Sequence, residues 1–174
     1  QIVNGASKIP HMYKDKIGLP LTIRTPMGGR RGYGPTHSQS LESLFFTVPN
    51  ITITAPSILH DPGTLLRTAV LRDTPDLFVE NKSLYAEELY PHKKYGNYRV
   101  ETHGQGEIAT CVIDGVGAAN AAIIAYGGMV KVALEALEAL FVEHEIIAEV
   151  ISPATIKPLP SEQLAQRLAD HPAV

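Results

Sequence analysis

Residues 28–45, GGRRGYGPTHSQSLESLF, bring together the residue types from which a ligand-facing or proton-handling loop is made. Glycines at 28, 29, 32 and 34 free the backbone and let it approach a ligand closely. Arg30 and Arg31 are adjacent cations that either stay solvated or meet an anionic substrate. His37 is the titratable group of the stretch. At the first turn of a helix the positive dipole end would disfavour its imidazolium and leave a neutral base, whereas a lone loop histidine can equally be structural. The spacing matches neither the GxGxxG fingerprint nor the GxxxxGK[ST] phosphate loop. Residue types alone therefore leave two readings, a surface loop or the rim of a ligand cleft. Cys111, in the apolar run ATCVI, reads as a small buried hydrophobe.

The elements that would position this loop follow from periodicity. LTIR (21–24) reads as a short buried strand, and SLESLFFTV after the loop as a helix, with Thr36, Gln39 or Ser38 available to cap it. ITITA (51–55) is β-branched and reads as the next strand. In DPGTLLRTAVLRD, Asp61 is placed as N-cap and Pro62 at the first helical position, which predicts a helix ending near Arg72. DLFVE (76–80) completes two strand–helix–strand units, the pattern of an α/β protein with a parallel sheet. In such sheets ligands bind at the carboxyl ends of the strands, where the glycine loop falls.

AEELYPHKKYGN (86–97) lacks an apolar period and reads as a linker. GEIATCVIDG and GAANAAIIAYG flank a DG turn and suggest a hairpin or edge pairing. Met129, Val132, Ala133, Ala136, Leu137, Leu140 and Phe141 recur at helical spacing and predict the buried face of a long helix, with Lys131, Glu135 and Glu138 outward. IIAEVIS follows as a strand, and SEQLAQRLAD as a last helix capped by Ser161.

A chain of 174 residues can bury a real core. The net charge of −3, with scattered basic residues, offers no stripe for nucleic acid, and no apolar run is long enough to span a bilayer as a helix. Nucleic acid and membrane are thus not expected as partners. One cysteine precludes an internal disulfide and points to a reducing compartment. Gln1 is not an initiator methionine and opens no signal-peptide pattern, so the chain is expected to begin downstream of the translation start.

The run PLTIRTPMGGRRGYGPTHSQSLESLFFTVPNITITAPS, followed by LLRTAVLRDTPDLFVENKSLY, resembles the β subunit of the decarboxylating component of 2-oxo acid dehydrogenase complexes. That family, with pyruvate, branched-chain and acetoin members, belongs to the transketolase-like thiamine diphosphate enzymes. The features that carry the resemblance are HSQS after a glycine loop, PS after the next strand, and E-x-K-x-L-Y. AYGGMVKVALEALEALFVEHEIIAEVISPATIKPLP extends it into what looks like the start of the family's C-terminal domain.

The resemblance implies an α/β fold: a partial pyrimidine-binding-like domain over 1–85, with a parallel sheet and helices on both faces, the linker at 86–97, and a partial transketolase C-terminal-like domain over 98–174. It implies oxidative decarboxylation of a 2-oxo acid and acyl transfer to a lipoyl carrier. Thiamine diphosphate would lie between two subunits, with an α-type subunit holding the diphosphate through magnesium and the β-type subunit supplying the aminopyrimidine pocket. His37 would project toward the cofactor and position or exchange protons during acyl transfer, with Ser38 and Gln39 bracing it. The implied partners are the α-type subunit, a second β-type copy and the lipoyl acyltransferase component, in the bacterial cytoplasm or the mitochondrial matrix. A structural potassium ion would sit on the backbone carbonyls of Leu21, Ala69, Arg72 and Thr74.

Two departures from the family pattern are visible. The glutamate that activates the aminopyrimidine lies upstream of the part matched by QIVNGASKIPHMY; Glu42 follows His37 on the expected helix, and Glu80 matches a different, structural position. The magnesium-binding GDG…N motif is also absent, and LADHPAV falls short of where the C-terminal domain would close. The expectation is a piece of a longer chain, or half of a split enzyme, with a non-catalytic assembly module as the alternative.

Overall fold

The structure, a computed structural model, describes residues 1–29, 32–169 and 171. Arg30 and Arg31 of the glycine loop lie outside the described residues. A short helix α1 (Ile9–Met12) precedes β1 (Thr22–Met27), β2 (Thr52–Thr54), α2 (Pro62–Val70) and β3 (Asp76–Asn81). The three strands are parallel, as the strand–helix–strand reading requires, and β3 lies between β1 and β2. α2 starts as expected: the Asp61 carboxylate accepts from the Gly63 amide at 2.9 Å and from the Thr64 hydroxyl at 2.6 Å, with Pro62 at the first helical position.

α2 covers one face of this sheet, where Leu65 and Ala69 pack on Phe78 and Ala154. The opposite face is covered by shorter pieces. Met27, Val48, Ile51, Ile53, Leu77 and Val79 form a core there, against which Ile2 and Phe45 pack. The helix expected over SLESLFFTV is a single 3-10 turn, Glu42–Phe45, with no side-chain cap from Ser38, Gln39 or Thr36. Pro49 follows it closely, and a segment this short cannot sustain a helix without a buried stripe; Leu41, Leu44 and Phe46 are exposed instead.

The second sheet has the order β4-β5-β6-β8-β7, from β4 (Lys94–Tyr95), β5 (Tyr98–His103), β6 (Ile108–Ile113), β7 (Ala121–Ile124) and β8 (Ala148–Pro153). The hairpin pairs β5 with β6, not β6 with β7; β7 pairs parallel to β8, and the DG turn at 114–115 leads away from β6. The end of the segment read as a linker carries β4, which closes a second small hairpin with β5. Strand alternation then splits the core in two. Ala109, Cys111 and Val150 face helix α3 (Met129–His144), whereas Ile108 and Ile151 face helix α4 (Ser161–Leu168) through Leu164.

The buried stripe of α3 is Val130, Ala133, Leu134 and Leu137. It is rotated from the expected face, so that Met129 and Phe141 are exposed. Two adjacent heptad-like stripes were available in this apolar helix, and sheet geometry selects between them. α4 begins at Ser161 itself, with Pro160 at the cap position and no side-chain cap bond, so Ser161 does not cap it.

After β8 the chain crosses to the first sheet, where β9 (Thr155–Lys157) adds antiparallel to β2. Ala154, fully buried, is the crossing point: its amide donates to the Glu107 carbonyl and its carbonyl accepts from the Ala55 amide, both at 2.7 Å. One residue thus stitches both sheets through the backbone.

Candidate active site

β1 delivers the chain to the carboxyl edge of the first sheet at Met27, and Gly28 turns it out with φ +92°, a conformation few side chains tolerate. The loop is closed at its base by the Gly28 amide, which donates to the Gln39 carbonyl at 2.8 Å. Near its far end, Pro35, Thr36 and His37 form a turn in which the His37 side chain is exposed. The Lys82 ammonium donates to the His37 carbonyl and also lies 5.5 Å from the centroid of the Tyr33 ring. His37 is therefore held by its backbone, while its side chain stands exposed among the described residues. It precedes the 3-10 turn by five positions, so the helix-dipole argument for its neutral form does not apply.

Inside the loop the carboxyl ends of β1, β2 and β3 and the first turn of α3 enclose a cavity of about 440 Å³. Asn81, the last residue of β3, forms part of its floor. Its Oδ1 accepts from the Ser83 amide at 3.0 Å and the Ser83 hydroxyl at 2.8 Å. A Cβ on Gly28 would come within 2.8 Å of the Asn81 amide group, and one on Gly128 within 2.7 Å of Asn81 and 2.8 Å of Ser83. The two glycines, one hundred positions apart, thus make room for one asparagine. Glu42 also lines the cavity; it is 6 % exposed, and its Oε1 accepts from the Tyr126 hydroxyl at 3.1 Å. Burial and the Glu42 carboxylate both push the Tyr126 phenol up from its ordinary range.

The remaining candidates fall outside this cluster. Glu80 accepts from Arg24 at 2.5 Å and from the Tyr85 hydroxyl at 3.0 Å, a brace across the sheet that ties the ends of E-x-K-x-L-Y. Lys82, the middle of that motif, makes the contact to the His37 loop that sequence reading passed over; its position in the motif was the available signal. Cys111 is fully buried, and burial pushes its thiol up to about 12, as befits a core residue.

Leu21, Ala69, Arg72 and Thr74 lie at the amino edge of the sheet, opposite the His37 loop. There the Leu21 carbonyl accepts from the Asp76 amide at 2.9 Å and the Ala69 carbonyl from the Arg72 amide at 3.3 Å. Arg72 donates to the buried Asp76 carboxylate, whose Oδ1 has no partner among the described residues. Among the described residues, no group of three or more His, Cys, Asp or Glu side chains is placed to hold a metal ion.

This pair of sheets, with the second returning a strand to the first, is the transketolase arrangement. A split-gene transketolase described as an inactive β4 tetramer superposes with a TM-score of 0.59 at 20% identity, over 97% of this chain and 52% of that one. Transketolase from Campylobacter jejuni gives a TM-score of 0.60 at 17% identity, over 87% of this chain and 23% of that one. Residues 112–174 match the transketolase C-terminal domain family.

Over nine-tenths of its length the chain is similar to β subunits of pyruvate, branched-chain and acetoin dehydrogenases. It is 35% identical to the β subunit of acetoin:2,6-dichlorophenolindophenol oxidoreductase of Cupriavidus necator, over 91% of this chain and 44% of that protein. With the pyruvate dehydrogenase E1 β-1 subunit of Arabidopsis thaliana, a mitochondrial protein, it shares 30% over 91% of this chain and 42% of the relative. With the 2-oxoisovalerate dehydrogenase β subunit of Bacillus subtilis it shares 31% over 95% and 48%. The chain therefore spans less than half the length of these curated relatives.

Proposed function

We propose that the chain is the β-type part of a thiamine diphosphate-dependent 2-oxo acid dehydrogenase, acting in oxidative decarboxylation and in acyl transfer to a lipoyl carrier. The observation that carries this is His37: it stands exposed on the glycine loop at the carboxyl edge of the parallel sheet, in a chain similar to such β subunits over nine-tenths of its length. The open loop, with nothing among the described residues within 4 Å of a Cβ at Gly32 or Gly34, fits one wall of a cofactor cleft whose other wall is an α-type partner.

When bound, thiamine diphosphate supplies the electron sink for decarboxylation. The chain's own part is different. The Lys82 contact to the His37 carbonyl fixes the loop backbone, and the free imidazole holds or releases a proton at a ring nitrogen while the acyl group moves on. The substrate class is a 2-oxo acid; its side chain would be read largely by the partner.

On this reading magnesium is held by the α-type partner, a second β-type copy completes the assembly, and the lipoyl acyltransferase component docks at the same cleft. Potassium would bind at Leu21, Ala69, Arg72 and Thr74, where the orphaned Asp76 oxygen adds a hard ligand of suitable chemistry. The named relatives include mitochondrial and bacterial proteins, and the proposed location is the matrix or the bacterial cytoplasm accordingly.

The test is His37→Ala in the complete enzyme assembled with its α-type subunit, followed by single-turnover kinetics. Acyl transfer should fall by about a hundredfold or more while decarboxylation falls less than tenfold. Equal loss in both steps would reassign His37 to positioning the cofactor.

A further inference from the structure

We infer that Lys82 is a positioning residue: its ammonium, gripping the glycine loop at two points, sets where the His37 imidazole stands. This deepens the proposed function and rests on it, because His37 is the group through which Lys82 would act. The ammonium donates to the His37 carbonyl and lies 5.5 Å from the centroid of the Tyr33 ring, within the range of a cation–π contact. One cation thus meets the loop at both Tyr33 and His37. Among the described residues no ion pair involves Lys82, so no acid competes with the loop for its charge.

The loop has little else to hold it. Gly32 and Gly34 have φ +73° and +74°, and among the described residues nothing lies within 4 Å of a Cβ at either. The Gly28 amide closes the base on the Gln39 carbonyl, and the His37 amide donates to the Gly34 carbonyl at 3.4 Å, within the loop itself. Over 32–38, the Lys82 bond is the one side-chain hydrogen bond among the described residues that ties the loop to the rest of the molecule. Glycine backbone loses more freedom on ordering than any other, so the arrangement depends on that anchor. Lys82 is in turn aimed by its neighbours. Asn81 caps the 3-10 turn Lys82–Leu84, Leu84 packs against the core of the second sheet, and Tyr85 is tied back to Glu80. With the residues on both sides held, the lysine stem alone reaches across to the loop.

One arm of the test is independent of the thiamine reading. In the isotope-labelled 174-residue chain, Lys82→Met keeps an apolar stem and removes the donors and the charge. Amide order parameters at Gly34 and His37 should fall from about 0.8 to below about 0.6, those of β3 should hold, and Lys82→Arg should stay near the unsubstituted values. The other arm uses the complete enzyme assembled with its α-type subunit. There Lys82→Met should lower the single-turnover rate of acyl transfer about tenfold or more, change KM for the 2-oxo acid less than about threefold, and be rescued by Lys82→Arg. In a His37→Ala background the same substitution should cost less than about threefold further, since nothing is left to position. Unchanged order parameters in Lys82→Met, undiminished acyl transfer in an enzyme that His37→Ala impairs, or full additivity of the two substitutions would each overturn the inference and leave the proposed function standing. Acyl transfer undiminished by His37→Ala would instead end the proposed role of His37, and the positioning role with it.

Discussion

His60 shows how a single side chain is committed to structure by its surroundings. It is fully buried; the Ser57 amide donates to its Nδ1 at 3.1 Å, so the proton sits on Nε2, which donates to the Ser152 carbonyl at 3.1 Å. The Ser152 hydroxyl in turn donates to the Ser57 hydroxyl at 3.2 Å, joining the loop after β2 to β8. Both ring nitrogens are thereby used in the neutral form, and burial lowers the imidazole to about 4. Unfolded, the same group titrates at about 6.5. Above that pH both states are neutral and the group adds no pH dependence. As pH falls from about 6.5 toward 4 the unfolded chain takes up a proton the folded one refuses, so stability is lost over that window, by about 3 kcal/mol at its lower end. Urea denaturation at pH 7.5, 6 and 5 should show this loss, and His60→Asn, though less stable at pH 7.5, should show a flatter profile. Equal slopes in the two proteins would remove His60 as the cause.

Among the elements, the junction of β3 with the first turn of α3 makes the sharpest prediction. Gly128 has φ −69°, so alanine there meets no backbone strain, and any cost comes from its Cβ against Asn81 and Ser83. Gly128→Ala should destabilise the chain by about 1–3 kcal/mol, read as a drop in the urea midpoint, with Asn81→Ala restoring part of it by removing the obstructing amide. Additive losses in the double variant would show that the two residues do not share this space. The stretch after the glycine loop illustrates the converse, an element whose type was set from outside. SLESLFFTV carries helical spacing, yet Glu42 is drawn inward to Tyr126, 84 positions later, and the local turn is 3-10. Local propensity in so short a segment is worth less than one buried contact.

For the whole molecule, thiamine diphosphate with magnesium should bind the 174-residue chain alone weakly or not at all. Most of the affinity for a diphosphate comes from a divalent ion and charge-assisted contacts, and the described part of the glycine loop with His37 offers mainly neutral contacts against the entropy of association. Calorimetric titration measures this directly; micromolar binding by the chain alone would place the cofactor site within it and end the two-subunit reading. The two-sheet architecture is consistent with a shared cleft, because the carboxyl edge bearing His37 opens to solvent while the amino edge is closed by Arg72 and Asp76.

The sequence by itself determined that β1, β2 and β3 run parallel, the Asp61–Pro62 start of α2, the presence of α3 and the loop that carries His37, whereas the placing of β3 between β1 and β2 came only with the structure. Each depends on local chemistry: β-branched runs, a side-chain oxygen next to free amides, an i, i+3, i+4 apolar repeat, and glycines where φ turns positive. The likeness to these β subunits was legible for the same reason, since HSQS, PS and E-x-K-x-L-Y are contiguous motifs. Which stripe of α3 faces inward, which strand β6 pairs with, and where β9 returns were decided only in three dimensions. So was the cavity, since Gly28, Glu42, Asn81, Tyr126 and Gly128 are brought together from segments up to a hundred residues apart. No periodicity records such a meeting, because its stabilisation comes from side chains filling one shared volume rather than from the preference of any segment for its own conformation.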